Sequence, residues 1–181
     1  MKKRVSKYDL EVYKKIRENI SSFLSNQANV LDSEAIKLLD IAPQDYVGAR
    51  EYFRNSKIFT ADIDASSGAD FILDICKNNK EIIESGYFDV IVCTEVLEHT
   101  LDPFSATKEM HRMLKEGGTL LISTPFDFRI HGPLPDCWRF TEHGLKEMLK
   151  DFDIVDINPL ENPERFLMPL HYLVVARKHG N

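Results

Sequence analysis

Along the chain, apolar positions first recur at a helical interval and then collect into short runs. Val12, Ile16, Ile20 and Phe23 fall on one face of a single amphipathic helix, with polar residues between them. That helix is expected to cover part of the core or the active site from outside. From Ile36 onward the period changes. Strands are expected at 36–41, 57–62, 70–74, 88–94, 118–124, 153–158 and 170–177. Several of these runs are almost wholly apolar, as in parallel strands covered on both faces. Between the fourth and fifth runs a helix is expected. Asp102 caps it, Pro103 suits its first turn, Ala106, Met110, Met113 and Leu114 share a face, and Gly117-Gly118 stop it. A further helix, "TEHGLKEMLKDF", is expected from Thr141 with Glu142 in its first turn.

This alternation implies an α/β fold, a three-layer α/β/α sandwich around a mostly parallel sheet. In such sheets ligands bind beyond the carboxyl ends of the strands, where strand order reverses. The chemistry is therefore expected at strand ends.

Composition narrows the setting. With 181 residues, 43% hydrophobic and 29% charged, the chain reads as one domain over residues 1–181, with a helical cap at 1–30 and a core at 36–177. No apolar run is long enough to span a bilayer. The basic start, "MKKRVSKYDLEVYKK", lacks the apolar segment of a secretory signal. A net charge of −6 speaks against nucleic acid as the main partner. Lys2, Lys3, Arg4, Lys7, Lys14 and Lys15 read as a solvated helix face. Three widely separated cysteines, Cys76, Cys93 and Cys137, suit a reducing compartment, so a cytoplasmic protein is expected. The sequence carries no signature of oligomeric state.

Three acids stand at the ends of consecutive runs: Asp40, Asp62 and Asp74. Asp62 follows Asp40 by 22 residues, near the interval of roughly 20 at which an acid meets ribose hydroxyls. A carboxylate there accepts two charge-assisted hydrogen bonds from a vicinal diol, and Ile75, next to Asp74, offers a face to a purine. Asp also makes turns at strand ends for purely local reasons, so the argument rests on the three together. After Asp40, "IKLLDIAPQDYVG" places Ala42, Gln44 and Tyr46 where a nucleotide-binding loop carries glycines.

The stretches "LLDIA", "FTADID", "ADFILDI" and "FDVIVCTEVLEHTLDPFSATKEMHRMLKEGGTLLISTPF", with the late "LHYLVVARK", resemble the motif series of class I S-adenosylmethionine-dependent methyltransferases. The resemblance covers about residues 36–177, and Phe88–Phe126 is its most specific part. It implies a Rossmann-like fold with a seven-stranded sheet, the last strand antiparallel, and S-adenosylmethionine as cofactor. It implies that Asp40 and Ala42 border the methionine end, that Asp62 holds the ribose with Ile63 beside it, and that Asp74 and Ile75 meet the adenine. The main chain near Thr94 and Glu95 would close over the sulfonium. The family's G-x-G-x-G is replaced here by Ala42, Gln44 and Tyr46, a modified loop, tolerable because this cofactor carries no phosphate to cradle.

The segment "TPFDFRIHGPLPDCWRFTEHGL", residues 124–145, is rich in Pro and Gly and reads as a structured loop over the sheet's carboxyl edge. Its pattern resembles a methyltransferase branch associated with surface polysaccharide and other glycan-modifying pathways. Asp136, Trp138 and Arg139 are candidates for contacting the acceptor. Trp138 and Arg139 equally suit locking the loop, with Asp136 as Arg139's partner.

Methyl transfer needs alignment, exclusion of water and, for a hydroxyl acceptor, a base. His131, in the loop above the expected cofactor, is the first candidate and His99, in "LEH", the second. Residues 126–140 are expected to form the acceptor-facing wall. Glu95, Glu98 and His99 at i, i+3 and i+4 would share a helix face and offer metal ligands. "LEH" recurs in the family as a structural motif and no further ligand cluster shows, so no metal is expected. The reading is an enzyme that methylates a small or carbohydrate-linked acceptor, at oxygen. The alternative is a methyltransferase-like binding or scaffolding module that no longer catalyses, suggested by the lost glycines.

Overall fold

The computed structural model describes residues 5–43 and 47–180. Its elements run α1 (Lys7–Leu31), β1 (Lys37–Ile41), β2 (Lys57–Asp62), β3 (Phe71–Ile72), β4 (Phe88–Thr94), α2 (Pro103–Met113), β5 (Leu114–Pro125), α3 (Glu142–Met148), β6 (Phe152–Leu160) and β7 (His171–Lys178). They form one seven-stranded sheet in the order β3-β2-β1-β4-β5-β7-β6. β1 to β5 pair in parallel, and β7 runs antiparallel to both β5 and β6. The last strand is the antiparallel one, as expected.

Residues of the central strands alternate between two apolar clusters on the two faces, because successive side chains point to opposite sides. On one face Leu39, Ile91, Leu120 and Val174 meet α2 and α3 through Met110, Met113 and Leu145. On the other, Leu38, Val90, Val92 and Leu121 meet α1 through Val12, Ile16, Ile20 and Phe23. The face of α1 picked out by its apolar interval is thus the buried one. A capping box starts that helix: Ser6 Oγ accepts from the Asp9 amide at 3.0 Å and Asp9 Oδ2 from the Ser6 amide at 3.3 Å.

Both later helices end earlier than expected. α2 ends at Met113, and Leu114 begins β5 opposite Phe88, so Gly117-Gly118 do not stop the helix but lie within the strand. Gly117 has φ 74 and the register shifts between Phe88 and Val90, so the glycines form a bulge that turns the strand into the sheet. At Gly118 an added Cβ would lie 2.8 Å from the Lys115 carbonyl oxygen. The second helix is shorter than "TEHGLKEMLKDF": Thr141 caps it, and Phe152 already opens β6. Residues 95–99 form no α-helix. Glu95 has φ 55, and only Leu97–His99 make a single 3-10 turn, so a shared helical face for Glu95, Glu98 and His99 does not exist.

β1 and β4 are adjacent, and from them the chain proceeds outward in opposite directions. The strand order therefore reverses at this pair, which is where a ligand crevice belongs.

Candidate active site

Two cavities lie side by side beyond the carboxyl ends of these strands. The larger, about 520 Å³, is bounded by Tyr13, Ile16 and Ile20 of α1, by Asp40 and Gly48, and by Phe128 and His131. The smaller, about 380 Å³, is bounded by Asp62, Ile63, Asp74, Ile75 and Leu101. Ala42, Glu95, His99 and Pro133 line both and mark the junction.

The junction carries unusual backbone. Ala42 (φ 50) and Glu95 (φ 55) both occupy the left-handed region, at a cost of order 1–3 kcal/mol for a non-glycine residue. Each is held by the sheet. The Ala42 amide donates to the Ala61 carbonyl at 2.7 Å. The Glu95 amide donates to the Ser123 carbonyl at 3.0 Å, and Ser123 Oγ donates to Glu95 Oε1 at 2.8 Å. Ala42 thus keeps the turn for which a glycine was expected. Gln44 and Tyr46 lie outside the described residues.

The glycine that matters in this loop is Gly48, at its far end, with φ 64. A Cβ there would collide with the Asp40 carboxylate. Asp40 is buried and accepts the Ala49 amide at 2.7 Å. Burial raises its pKa to about 6, against the opposing pull of that hydrogen bond and of Arg50. Gly48 carries no signal in the sequence, because the glycines of a nucleotide-binding loop directly follow the strand and β1 ends at Ile41. Six α1 residues on the larger cavity, from Tyr13 to Leu24, were also unassigned; the apolar stripe of α1 was their only signal.

Asp62 and Asp74 both build their own turns. Asp62 Oδ1 accepts the Asp64 amide and Asp74 Oδ1 the Cys76 amide, each at 2.9 Å. Asp74 also pairs with Lys77 at 3.3 Å. The local reason for an Asp at a strand end and its place on a cavity wall hold at once. β3 is shorter than expected, so Asp74 lies two residues past the strand. Ile75 is buried while Ile63 is 71% exposed.

His99 and His131, remote in sequence, meet at the junction with Nε2 atoms 3.3 Å apart and rings nearly perpendicular. His99 Nδ1 lies 2.9 Å from the Pro135 carbonyl oxygen. A carbonyl only accepts, so Nδ1 carries the proton. His131 Nδ1 sits 3.0 Å from Asp136 Oδ2, off the line of a hydrogen bond. Burial and the neighbouring His99 lower the His131 pKa, against Asp136 and Glu95.

The profile of the methyltransferase-domain family matches residues 11–158, which contain every residue that bounds the two cavities. The chain belongs to this methyltransferase family. S-adenosylmethionine is the cofactor that family and fold imply. A ubiquinone biosynthesis O-methyltransferase from Pseudomonas aeruginosa is 49% identical over 39 residues, 22% of this chain and 17% of the relative. The chain therefore spans only a small part of that relative's length. Among solved structures, the [4+2]-cyclase SpnF superposes with TM-score 0.68 at 16% identity, over 90% of this chain and 81% of that one. A SAM-dependent methyltransferase from Methanosarcina mazei gives TM-score 0.62 at 17% identity, over 82% and 95%. At such identities these likenesses establish the fold alone.

The residues of the smaller cavity fit that cofactor. The smaller cavity combines apolar walls (Ile75, Leu101) with carboxylates of Asp62 and Asp74, as an adenosine with its diol requires. Asp136, Trp138 and Arg139 line neither cavity. Arg139 grips both Asp136 oxygens and donates to the Phe128 and Arg129 carbonyls. Burial would raise the Asp136 pKa, but hydrogen bonds from Arg139 and the His131 amide outweigh it and lower it to about 2. Trp138 Nε1 donates to the Thr100 carbonyl at 2.8 Å. Their polar groups brace the loop and carry His131 to the junction. No helix among the described residues is long and apolar enough to cross a membrane.

Proposed function

We propose that the chain transfers a methyl group from S-adenosylmethionine to an oxygen of a small or carbohydrate-linked acceptor. The observation that carries this reading is the His99–His131 pair at the junction of two adjoining cavities. When bound, S-adenosylmethionine supplies an electrophilic methyl group on a sulfonium. Asp62 holds the ribose hydroxyls, and Asp74 and Ile75 meet the adenine in the smaller cavity. The main chain at Ala42, Thr94 and Glu95 borders the junction, and the larger cavity under α1 takes the acceptor.

Asp40 is a positioning residue: its carboxylate is occupied by the Ala49 amide, so it shapes the loop. His131 takes the acceptor's proton. Its lowered pKa keeps the ring neutral near pH 7, and its loop closes the cavity to water. A neutral imidazole suits a hydroxyl acceptor, which must lose a proton. The short stretch shared with a protein named as an O-methyltransferase points the same way. The likeness of "HGPLPDCWRFT" to a glycan-associated branch supports a carbohydrate-linked acceptor.

This enzymatic reading is preferred to a module without activity. The loss of loop glycines motivated that rival, yet Ala42 holds the left-handed turn and a cavity lies beyond Asp40, Asp62 and Asp74. Titration calorimetry of the purified chain with S-adenosylhomocysteine tests it. Saturable binding is expected; no heat at about 1 mM ligand, the weak end of specific affinity, removes the reading.

A further inference from the structure

Glu98 shares the 3-10 turn of His99 and faces the ring of His131. Glu98 is wholly buried, and neither carboxylate oxygen has a hydrogen-bond partner among the described residues. Burying a carboxylate without partners is among the costliest things a fold does. Its Oε1 lies 3.6 Å from His99 Nε2 and 3.6 Å from His131 Nε2, and those two nitrogens are 3.3 Å apart. Three donor atoms thus form a nearly equilateral triangle. With its proton on Nδ1, His99 presents a lone pair at Nε2, inward. In the metal-free chain the 3.3 Å contact is then a hydrogen bond donated by His131 Nε2, and moving that proton to Nδ1, on the Asp136 side, frees a second lone pair. Two lone pairs and a carboxylate converging at one point ask for a positive charge.

We propose that Glu98, His99 and His131 bind a divalent zinc-class ion, with an open position toward the larger cavity. The geometry selects the class. Zinc bonds to imidazole and carboxylate are about 2.0–2.2 Å long, so ligands on a tetrahedron stand about 3.3–3.6 Å apart. The observed edges are 3.3, 3.6 and 3.6 Å. An octahedral magnesium ion with bonds of about 2.0–2.1 Å needs adjacent ligands about 2.9 Å apart and prefers oxygen. Two imidazoles and one carboxylate suit the borderline ions.

The surroundings are those of a held ligand set. Pro135 fixes the His99 ring through Nδ1, as the partners of metal-binding imidazoles do, and Asp136 holds His131 by accepting its main-chain amide at 2.9 Å. Arg139 in turn clamps Asp136. The Cys137 amide donates to the Glu98 carbonyl at 2.7 Å, tying the two segments together. The expectation of no metal considered Glu95, Glu98 and His99 as one helical face. The loop replaces Glu95 in that set by His131, 32 residues beyond His99.

The ion changes the part the rings play in the methyl-transfer reading, which this proposal deepens. As ligands they hold a Lewis acid. An acceptor hydroxyl bound at the open position then has a lowered pKa and gives up its proton to bulk solvent before the loop closes.

The site is tested without acceptor or S-adenosylmethionine, so its failure and the failure of the transfer reading are separable. The chelator-stripped chain is dialysed against Zn²⁺ and metal is counted per chain. One ion is expected, and Co²⁺ in its place should give the intense visible absorption of tetrahedral coordination. His99→Ala, His131→Ala and Glu98→Gln should each weaken binding by more than about 100-fold. Asp136→Asn should weaken it by about 10–100-fold, the usual effect of an orienting partner. His179→Ala, at an exposed histidine paired with Asp153, should change nothing. Zinc should also raise the Tm of the unmodified chain, reversibly with chelator, a readout independent of how the variants fold. Equal zinc binding by unmodified chain and His99→Ala, or no Tm change with zinc, overturns the proposal. The second outcome would leave a protonated Glu98, whose pKa burial and Glu95 already push up, as the occupant of the triangle.

Discussion

The Asp40 carboxylate accepts the Ala49 amide at 2.7 Å, joining the end of β1 to the far side of the loop that follows it. Gly48 passes against that carboxylate with φ 64, so the loop's shape depends on a residue without a side chain. Gly48→Ala combines left-handed strain with a collision. It should cost more than about 2 kcal/mol in urea unfolding and weaken cofactor binding. Unchanged stability would show that the contact is not held in solution.

The same pair gives a pH signature. A carboxyl whose folded pKa is raised binds its proton more tightly in the folded chain. Asp40 therefore contributes most below its unfolded value of 3.8, and that contribution is lost as pH rises to about 6. The loss approaches about 3 kcal/mol at roughly 1.4 kcal/mol per pH unit. Asp136 is opposite in sign. Its pKa near 2 makes its contribution complete above about 4 and lost as pH falls toward 2. Unfolding measured from pH 3 to 7 should show a falling component that disappears in Asp40→Asn. A curve unaltered by that substitution would contradict the buried, weakly acidic carboxyl.

Asp62 sits at the wall of the smaller cavity with one oxygen committed to the Asp64 amide. Asp62→Ala should weaken S-adenosylhomocysteine binding by about 1–3 kcal/mol in calorimetry, the cost of losing charge-assisted hydrogen bonds. Since the Asp64 amide loses its acceptor too, circular dichroism should show the fold retained. Unchanged affinity would remove Asp62 from the site.

With an acceptor in hand, His131→Ala should lower turnover by roughly 10²–10⁴-fold and leave S-adenosylhomocysteine affinity nearly intact. Equal loss of both would mean that His131 only supports the loop. Arg139→Lys is the companion measurement. It gives up the bidentate hold on Asp136 and the carbonyls of Phe128 and Arg129, so acceptor turnover should fall without any change at the cofactor.

Local pattern determined a great deal of this molecule. Lys57–Asp62 and Phe88–Thr94 have the strand limits that their apolar runs indicate, and the α1 face of Val12, Ile16, Ile20 and Phe23 is the one that packs. These features follow from a fixed side-chain period, which any window of sequence displays. The order of acids at strand ends pointed to the crevice for the same reason. Where pattern and structure part, a nonlocal contact decides. Gly117-Gly118 are stop signals in isolation but become a strand bulge because Leu114 pairs with Phe88. Glu95 reads as helical until the Ser123 strand fixes its amide in a left-handed turn. Gly48 is unremarkable until Asp40, eight residues earlier, turns inward against it. The convergence of Glu98, His99 and His131 lies beyond sequence altogether, because a distance of 3.3 Å between rings 32 residues apart is created only when the loop folds back over the sheet. Periodicity is a property of neighbours along the chain; a site is a property of neighbours in space.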